Sequence, residues 1–228
     1  MMKTAVIVAV HNGSAYLHDQ LESILAQTVA LDEIIVSDDA STDDSVAIAN
    51  SFGVRVVRNE TALGVVGNVE AALRECDADV IFLADQDDVW VKNKVEKMLA
   101  VFEERPEVNL VVSDLAIVNG DLVETDSSFF AVRHAKFGAL NTVLKNSYVG
   151  AAMALRRPLL DVALPFPAGL PMHDQWLGLM SEKQHSAYVL REPLVLWRRH
   201  DSNETDVKKG GSLAQKIKWR LVLIKALL

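Results

Sequence analysis

The segment Val80-Ile81-Phe82-Leu83-Ala84-Asp85-Gln86-Asp87-Asp88 decides the fold that this sequence predicts. Its run of apolar residues is typical of a strand buried on both faces, because a half-exposed strand would alternate apolar with polar residues. Acids and an amide follow the strand directly. The segment therefore predicts a buried strand whose carboxyl end opens into a polar crevice, which is where open α/β sheets bind their ligands.

Further apolar runs flank this segment and alternate with helical patterns. The predicted strands are Ala5–Val10, Glu33–Ser37, Val54–Val57, Val80–Ala84 and Val108–Ser113. The predicted helices are one with Tyr16, Leu17, Leu21, Ile24 and Leu25 on a single stripe, one that begins near Asp43 with Ser41 or Thr42 as its cap, Gly64–Cys76 and Val91–Glu104. Because this alternation is typical of mostly parallel sheets with helices on both faces, we predict a Rossmann-like α/β fold.

The alternation ends after residue 114. The remaining predicted elements are a loop at Ser127–Lys136, strands at Gly150–Leu155, Ala187–Leu190 and Leu194–Arg198, and a helix at His173–Glu182. No linker that would separate a second domain is visible in this half of the sequence. We therefore expect one domain over residues 1–207.

The composition excludes several classes of protein. The chain has 228 residues, of which 50% are hydrophobic and 24% charged, the balance of an ordinary globular domain. A net charge of −8 argues against nucleic acid as the main partner. The single cysteine, Cys76, rules out an internal disulfide framework and fits a reducing compartment. The apolar run ending at Val10 is too short for a signal peptide, and no stretch reaches the roughly 18 apolar residues of a membrane helix.

Asp85 and Asp87 are candidate metal ligands. Two carboxylates one residue apart on a tight turn can share Mg²⁺ or Mn²⁺, which favour oxygen ligands. Such a cation can bridge a diphosphate and neutralise the charge that builds on a departing nucleotide. The alternative is an acidic loop that only caps the helix predicted from Val91.

Two other strand ends carry polar groups that would face the same crevice. Asn12 follows the first predicted strand, and the pair Asp38 and Asp39 follows the second. One of these carboxylates could accept hydrogen bonds from a nucleoside base or ribose, whereas turn and cap roles are the alternative. Three independent strands thus direct acids and amides at one edge of the sheet.

The second half of the chain contributes further candidates. Asp174 could deprotonate an acceptor hydroxyl, with Trp176 as part of a sugar-stacking wall, or it could simply cap a helix. His200 could be a third metal ligand and Arg198 could contact phosphate, although a histidine after a strand is more commonly a surface or packing residue.

Together these segments resemble the family 2 glycosyltransferases, which have the GT-A fold. The resemblance extends from the first strand to about Asn203. It rests on the order and spacing of Val8–Gly13, Ser37–Asp43, Arg58-Asn59-Glu60, Leu63-Gly64, Asn68, Asp85–Trp90, Gly150-Ala151-Ala152, His173–Trp176 and Trp197–His200.

The resemblance implies a role for each candidate residue. Residues 1–113 would form the half that binds a nucleotide-sugar donor, and residues 114–207 the half that binds the acceptor. Asp174 would be the catalytic base of an inverting transfer, Asp39 would contact the nucleoside base, and Asp87 would be the main metal carboxylate. The implied set is Val10, Asn12, Asp38, Asp39, Asn68, Asp85 and Arg198 for the donor; Asp85, Asp87 and His200 for Mg²⁺ or Mn²⁺; and Gly150 and Trp176 for the acceptor.

The segments Asp85–Trp90 and His173–Trp176 are most similar to the rhamnosyltransferase-like branch, which builds bacterial surface polysaccharide. This implies dTDP-rhamnose or a UDP-sugar as donor, and a saccharide or lipid-linked acceptor. In one departure from the family pattern, His173 replaces the acid that usually precedes the base. Two alternatives remain: a haloacid-dehalogenase-type phosphatase, whose DxDxV motif fits Asp85–Val89 although the paired acids come in the wrong order, and a non-catalytic nucleotide-sugar-binding relic.

The end of the chain, residues 208–228, is predicted to form a basic amphipathic helix. Its basic residues are Lys208, Lys209, Lys216, Lys218, Arg220 and Lys225, and all 31 acids of the chain precede them. Such a helix can lie on an anionic membrane surface, which would suit a cytoplasmic enzyme at the inner face of the membrane with a lipid-linked acceptor. The alternatives are packing on its own domain or on the partner of a homodimer.

Overall fold

The computed structural model describes residues 2–200 and 212–227, so the predicted features at Asn203, Lys208 and Lys209 lie outside the described residues. Within these ranges the strands form one nine-stranded sheet. The strands are β1 Thr4–Val10, β2 Glu33–Asp38, β3 Arg55–Arg58, β4 Val80–Asp85, β5 Val89–Trp90, β6 Leu110–Asn119, β7 Glu124–Asp126, β8 Met153–Arg156 and β9 Ala187–Arg199.

The sheet has the order β3-β2-β1-β4-β8-β6-β9-β5, with β7 paired to β6. Strands β1 to β4 pair in parallel, as do β6 and β9. Strand β8 runs antiparallel to β4 and β6, and β5 runs antiparallel to β9. Val6 and Ile7 point to opposite faces of β1 and are 0% and 1% exposed, so both faces of the sheet are covered. The predicted α/β fold with a mostly parallel sheet is confirmed.

The helices of the described chain are α1 Leu17–Leu25, α2 Ser45–Ser51, α3 Gly64–Glu75, α4 Lys94–Glu104, α5 Phe129–Arg133, α6 Ala139–Leu144, α7 Arg157–Ala163, α8 His173–Lys183 and α9 Leu213–Leu227. In α1 the predicted stripe is only partly right. Leu17, Leu21 and Ile24 are buried at helical spacing, whereas Leu25 is 55% exposed. Leu25 lies one residue, about 100° of helical rotation, beyond Ile24 and therefore points away from the core.

Two helices begin later than the sequence predicts. Helix α4 begins at Lys94 because Val89–Trp90 forms a strand with β9, and the Val91 amide still donates to the Leu194 carbonyl at 3.1 Å. Helix α2 begins at Ser45, whose amide and hydroxyl both donate to the Asp43 carboxylate. In each case a tertiary pairing or a local side-chain bond takes the backbone groups that an earlier helical turn would have used.

The second half departs further from the prediction. Residues 187–199 form one strand instead of two, and a register irregularity in the pairing of β6 with β9 accommodates Pro193. Gly150–Ala152 is a 3₁₀ turn that precedes β8, so the predicted strand there begins only at Met153. The predicted loop at Ser127–Lys136 contains α5, which Ser128 caps through its side chain. Helices α6 and α7 have no counterpart in the prediction.

The topology brings three strand ends and one turn to the same edge of the sheet. Strands β1, β2 and β4 are parallel neighbours, so residues 11–13, 38–41 and 85–88 leave the sheet side by side. Strand β8 pairs with β4 in the opposite direction, with Phe82 opposite Ala154. The turn Gly150–Ala152 therefore lies beside the carboxyl end of β4, next to the acidic loop.

Helix α9 packs on its own domain, in agreement with one of the alternatives predicted for the tail. Leu223 is fully buried in the core. The Arg220 guanidinium donates to the Leu144 carbonyl of α6 at 2.7 Å, and Lys183 of α8 donates to the Leu227 carbonyl at 3.0 Å. No helix within residues 2–200 and 212–227 combines the length and apolar character needed to cross a bilayer.

The packing of α8 gives a direct test of the fold. A Cβ on Gly178 would lie 2.4 Å from Cδ2 of the buried Tyr148 ring, which cannot move aside. We expect Gly178→Ala to lower the free energy of unfolding by up to about 2 kcal/mol, because overpacking of about 1–3 kcal/mol exceeds the helical preference for alanine of about 1 kcal/mol. Urea denaturation measures this difference. Gly120→Ala is the control, since no heavy atom lies within 4 Å of its added Cβ, and an equal loss in both variants would contradict the packing described.

Candidate active site

Gln86 joins the ends of β1 and β4. Its side chain accepts from the His11 amide at 2.8 Å and donates to the His11 carbonyl at 3.2 Å, so one amide group satisfies both backbone groups. A Cβ on Gly13 would lie 2.3 Å from Oε1 of Gln86, which explains the glycine at this position. The two loops are therefore fixed to each other across 75 residues of sequence.

Asn12 is exposed and joins the loop after β1 to the segment after β2. Its backbone has a positive φ of 50°, a conformation that asparagine tolerates better than most residues. The Asn12 backbone N–H donates to the Ser41 hydroxyl at 2.9 Å, and the Asn12 side-chain oxygen accepts from the Thr42 backbone N–H at 2.9 Å. Asn12 is thus held in a fixed orientation at the open edge of the sheet.

Asp39 is buried and tied to the start of α3. Its carboxylate accepts from the Leu63 and Gly64 amides at 2.8 Å each and from the Asn59 side chain at 2.9 Å. An ionised carboxylate offers about four acceptor positions, so these bonds leave capacity for a further donor. The contact between Asp39 and a nucleoside base stays a prediction.

Asp38, Asn68 and Val10 have almost no surface available to a ligand, with exposures of 0%, 2% and 1%. The Asp38 carboxylate accepts a hydrogen bond from the Ser41 amide and forms an ion pair with the Arg58 guanidinium, both at 3.2 Å. Asn68 exchanges hydrogen bonds with Ser37. Val10 accepts the Asp39 amide through its carbonyl at 2.8 Å. In this structure these residues support the loops that carry Asn12 and Asp39, and their contact with the donor stays a prediction.

The predicted metal residues Asp87 and His200 lie together although 113 residues separate them. Nε2 of His200 is 3.0 Å from Oδ2 of Asp87, and the Tyr16 ring stacks on the imidazole with centroids 4.4 Å apart. Asp85 and Asp87 are both half-buried at the mouth of the crevice. Histidine and carboxylate are ligands that Mn²⁺ accepts.

The metal would have only part of its coordination from the protein. Among the described residues, no three His, Cys, Asp or Glu side chains converge closely enough to hold an ion by themselves. Mg²⁺ usually keeps several waters and binds one or two carboxylates together with substrate phosphates. The adjacent Asp87 and His200 therefore fit an ion that shares its coordination with a diphosphate, rather than one in a closed protein cage.

Arg198 is oriented by neighbours other than a phosphate. Its guanidinium pairs with Asp19 at 2.7 Å and lies 4.6 Å from the centre of the Tyr16 ring. Its backbone amide donates to the carboxylate of the fully buried Asp88 at 3.0 Å. The side chain is 3% exposed, so the phosphate contact predicted for Arg198 requires the pair with Asp19 to open.

Lys94 lies beneath the acidic loop and connects it to the second half of the chain. Its ammonium is fully buried, donates to the Ala151 carbonyl at 2.6 Å and lies 3.8 Å above the Trp90 ring. Burial lowers the pKa of Lys94, whereas burial and the neighbouring Asp85 and Asp87 raise the pKa of Asp88. The Coulombic attraction between Lys94 and Asp88 opposes both shifts.

Asp174 opens α8 as a buried carboxyl group, 7% exposed. Burial raises its pKa to about 6, although hydrogen bonds from the Gln175 amide and the Asn146 side chain act in the opposite direction. The Asn146 side chain donates to Oδ1 of Asp174 at 3.0 Å. A carboxylate with a pKa near neutrality is a stronger base than a solvated one and is still ionised at pH 7.

His173 lies beside Asp174 and stays neutral. Burial lowers the pKa of His173 to about 4. A Cβ on Gly150 would lie 2.6 Å from Nε2 of His173, so the turn before β8 and the start of α8 touch at this point. Because His173 is uncharged at neutral pH, it adds no negative charge next to Asp174, unlike the acid that the family pattern places there.

The acceptor-binding residues predicted from the sequence are not at the surface of the crevice. Trp176 is 3% exposed and its indole N–H donates to the Ala163 carbonyl at 2.9 Å. Gly150 is buried against His173. The Trp176 indole packs in the core, because α8 is buried on all sides, and Gly150 shapes the turn before β8. Contact of either residue with an acceptor stays a prediction.

Several residues of the site escaped the sequence prediction. Gln86, Lys94, Tyr16 and Asn146 each act on a partner far away in the sequence, so no local pattern signals their role. For Gln86 a signal existed in its position inside the acidic segment, between two predicted ligands. Asn146 carried no such signal.

Comparison with known proteins gives the family. Residues 5–162 match Glycosyl transferase family 2. The chain belongs to this family. The acidic segment after β4 and the polar ends of β1 and β2 lie within the matched residues, so the phosphatase alternative is wrong.

Two curated relatives are bacterial glycosyltransferases. The UDP-Glc:alpha-D-GlcNAc-diphosphoundecaprenol beta-1,3-glucosyltransferase WfgD of Escherichia coli is 26% identical over 192 residues, which cover 80% of this chain and 72% of that protein. The dTDP-rhamnosyl transferase RfbG of Shigella flexneri is 24% identical over 244 residues, which cover 96% of this chain and 79% of that protein.

A solved structure confirms the fold. Glucosyl-3-phosphoglycerate synthase from Mycobacterium tuberculosis, in complex with Mn²⁺, UDP and glucosyl-3-phosphoglycerate, superposes with a TM-score of 0.66 at 21% identity. The match covers 99% of this chain and 80% of that one. At this identity the likeness establishes the shared GT-A fold of the glycosyltransferases.

The raised pKa of Asp174 predicts a stability difference that depends on pH. Its pKa is about 6 in the folded chain against an ordinary value of 3.8, so the ionised side chain destabilises the fold above pH 6, and this cost disappears below pH 4. We expect Asp174→Asn to be more stable than the wild type at pH 8 by roughly 2–3 kcal/mol, since one pKa unit corresponds to about 1.4 kcal/mol.

Urea denaturation at pH 8 and pH 4 measures this effect. The asparagine oxygen can still accept from Asn146 and Gln175, so the substitution removes the charge and keeps the packing. Asp121→Asn, at an exposed position, is the control and is expected to change little at either pH. An equal stability of Asp174→Asn and wild type at pH 8 would show that the Asp174 carboxylate is not desolvated.

Proposed function

We propose that the protein is a metal-dependent inverting glycosyltransferase that moves a sugar from a nucleotide-diphosphate donor to a hydroxyl acceptor. The observation that carries the proposal is the juxtaposition at one edge of the sheet of Asn12, the half-buried Asp85 and Asp87, and the turn next to the buried Asp174. The relatives' names include UDP-glucose and dTDP-rhamnosyl transfer, which supports a UDP-sugar or dTDP-rhamnose as the donor.

The donor would lie across the ends of β1, β2 and β4. Asp39 keeps capacity for one more hydrogen bond and suits the N–H of a pyrimidine base, and Asn12 offers an exposed amide. Asp87 and His200, with Asp85 nearby, would hold Mg²⁺ or Mn²⁺. When bound, such a cation would neutralise the negative charge that develops on the leaving diphosphate.

Asp174 would act as the base. Its carboxylate, oriented by Asn146 and the Gln175 amide, takes the proton of the acceptor hydroxyl while that oxygen bonds to the anomeric carbon and the bond to the diphosphate breaks. A single displacement with attack opposite the leaving group inverts the anomeric configuration. His173 is neutral and therefore does not raise the pKa of Asp174 as a neighbouring carboxylate would. Asp174 is thus mostly ionised above about pH 6.

Nucleotide binding tests the donor site. We expect UDP or dTDP, at a hundredfold excess over Kd and only with Mn²⁺ present, to raise the melting temperature by about 5–10 °C. The shift measured by thermal denaturation should disappear in Asp87→Ala and persist in Asp77→Ala, whose side chain is fully exposed before the amino end of β4, at the opposite edge of the sheet. An equal shift with and without Mn²⁺ would refute metal dependence, and the absence of any shift would refute the donor site.

The same preparations separate binding from chemistry. Asp174→Asn should keep the nucleotide-dependent shift and lose about 10²- to 10⁴-fold in kcat, because a positioned base contributes rate and not donor affinity. A non-catalytic relic would instead show the shift and no turnover in the wild type.

We also propose that the exposed face of α6 and α9 rests on an anionic membrane, as expected for an enzyme of surface polysaccharide synthesis at the inner face of the membrane. The face exposes the apolar side chains Leu140, Leu144, Ile217, Leu221 and Ile224, with Leu140 at 73% and Leu221 at 60%. The exposed Lys216, Lys218 and Lys225 belong to the same helix, α9. Exposed apolar side chains on a helix that also carries basic groups fit a surface of anionic lipid. The E. coli relative is named for a polyprenol-diphosphate acceptor, which supports a lipid-linked acceptor here.

Sedimentation with vesicles tests this contact. We expect binding to vesicles of phosphatidylcholine with phosphatidylglycerol, weaker binding at high salt, and little binding to phosphatidylcholine alone. Leu221→Asp should reduce binding strongly. Val123→Asp is the matched control, because Val123 is also 60% exposed and lies in the turn between β6 and β7. Equal loss in both variants, or none in Leu221→Asp, would exclude this face.

A further inference from the structure

A cavity of about 290 Å³ lies in the second half of the chain, outside the crevice described above. The residues that line it are His134, Lys136, Asn141, Leu144, Lys145 and Ser147. Three of the six are basic, two offer a hydroxyl or amide, and none is acidic. This composition contrasts with the chain as a whole, which carries a net charge of −8.

The chemistry of the lining favours a tetrahedral oxyanion such as phosphate. Lysine ammonium groups bind phosphate as point charges, and a serine hydroxyl and an asparagine amide add donors. The volume is at the lower end of the range for ligand cavities, so the cavity suits a phosphate or diphosphate group rather than a whole substrate.

The walls of the cavity are held in place by hydrogen bonds. The Lys136 amide donates to the Ser147 hydroxyl at 3.1 Å, and the Lys145 ammonium donates to the Arg133 carbonyl at 2.7 Å. Glu182 lies behind this wall, where its Oε1 accepts from the Gly138 amide and from the Tyr148 hydroxyl, both at 2.6 Å. Glu182 is not part of the lining, so the two lysines are the charged groups there.

One short segment of the chain contributes both to the cavity wall and to the contacts of the proposed base. Asn146, which donates to Asp174 at 3.0 Å, stands between Lys145 and Ser147 in the chain. Consecutive Cα atoms are about 3.8 Å apart, so the cavity wall and the group that orients Asp174 belong to one short segment. An anion held there would lie on the acceptor side of the site and would fix the acceptor relative to the base.

We propose that this cavity binds a phosphate or diphosphate group of the acceptor, and that Lys136 and Lys145 are specificity-determining residues for phosphorylated acceptors. The inference rests on the proposed function, because it assigns the acceptor class of the same transfer. Lys136 is the side chain best suited to a test, since Lys145 also supports the Arg133 carbonyl.

Calorimetric titration with inorganic pyrophosphate tests the site. The donor site is first disabled by Asp87→Ala and by removal of divalent cations, so that remaining binding reports on the cavity. We expect Lys136→Ala in this background to weaken pyrophosphate binding about tenfold, the loss typical of a hydrogen bond to a charged group. Lys136→Arg should retain most of the binding, and Lys92→Ala, at an exposed position outside the lining, should leave it unchanged.

The outcomes separate this inference from the proposed function and from lipid binding. Pyrophosphate binding that is absent, or equal in Lys136→Ala and its parent, overturns the site even if the Mn²⁺-dependent nucleotide shift is intact. A loss confined to Lys136→Ala, with a melting temperature equal to that of its parent, supports it. If Lys136→Ala in the otherwise wild-type chain also loses binding to phosphatidylglycerol vesicles, the cavity holds a lipid headgroup and the assignment to the acceptor is wrong.

Discussion

The buried ammonium of Lys94 is the interaction on which the geometry of the site depends. It lies under the acidic loop, against the Trp90 ring, and its hydrogen bond to the Ala151 carbonyl joins the loop to the turn before β8. That turn touches His173 and thereby fixes the start of α8, where Asp174 is located. The buried Lys94 thus lies in the chain of contacts that links the acidic loop to the start of α8.

The two halves of the site control charge by different means. Around Asp87 the acids are close together, so under the proposed function a cation would have to neutralise them before a diphosphate could approach. Around Asp174 the neighbours are neutral: an amide from Asn146, a backbone N–H and an uncharged imidazole. Desolvation then raises the pKa of Asp174 without a competing acid. The substitution of His173 for the acid of the family pattern is consistent with this arrangement, because a second carboxylate would raise the pKa further and favour the protonated base.

The sequence was sufficient for the parallel part of the sheet and for three of its polar strand ends. Five runs of β-branched and apolar residues predict β1 to β4 and β6, and the polar clusters after β1, β2 and β4 place Asn12, Asp39 and Asp87 at the same edge of the sheet. Local patterns give no signal where the relevant partner is far away in the sequence. Gln86 acts on His11 over 75 residues and Lys94 on Ala151 over 57 residues. The burial of Trp176 could not be predicted for a related reason: a helix buried on every side has no polar face, so the sequence gives no indication of which of its aromatic residues is exposed.

The separation of charge along the chain has a consequence for recognition. Asp85, Asp87 and Asp88 lie together at the end of β4, whereas basic groups occur on α9 and in the lining of the cavity formed by residues 134–147. An anionic donor would be repelled from its own site in the absence of a cation, and lysines on the far side cannot screen that repulsion beyond about 8–10 Å at physiological salt. An anionic group of an acceptor, in contrast, would meet ammonium groups directly at the proposed cavity. Under these proposals one chain would distinguish two phosphorylated substrates, since only the donor site would require a metal. Each anion would then be directed to its own site before any sugar is recognised.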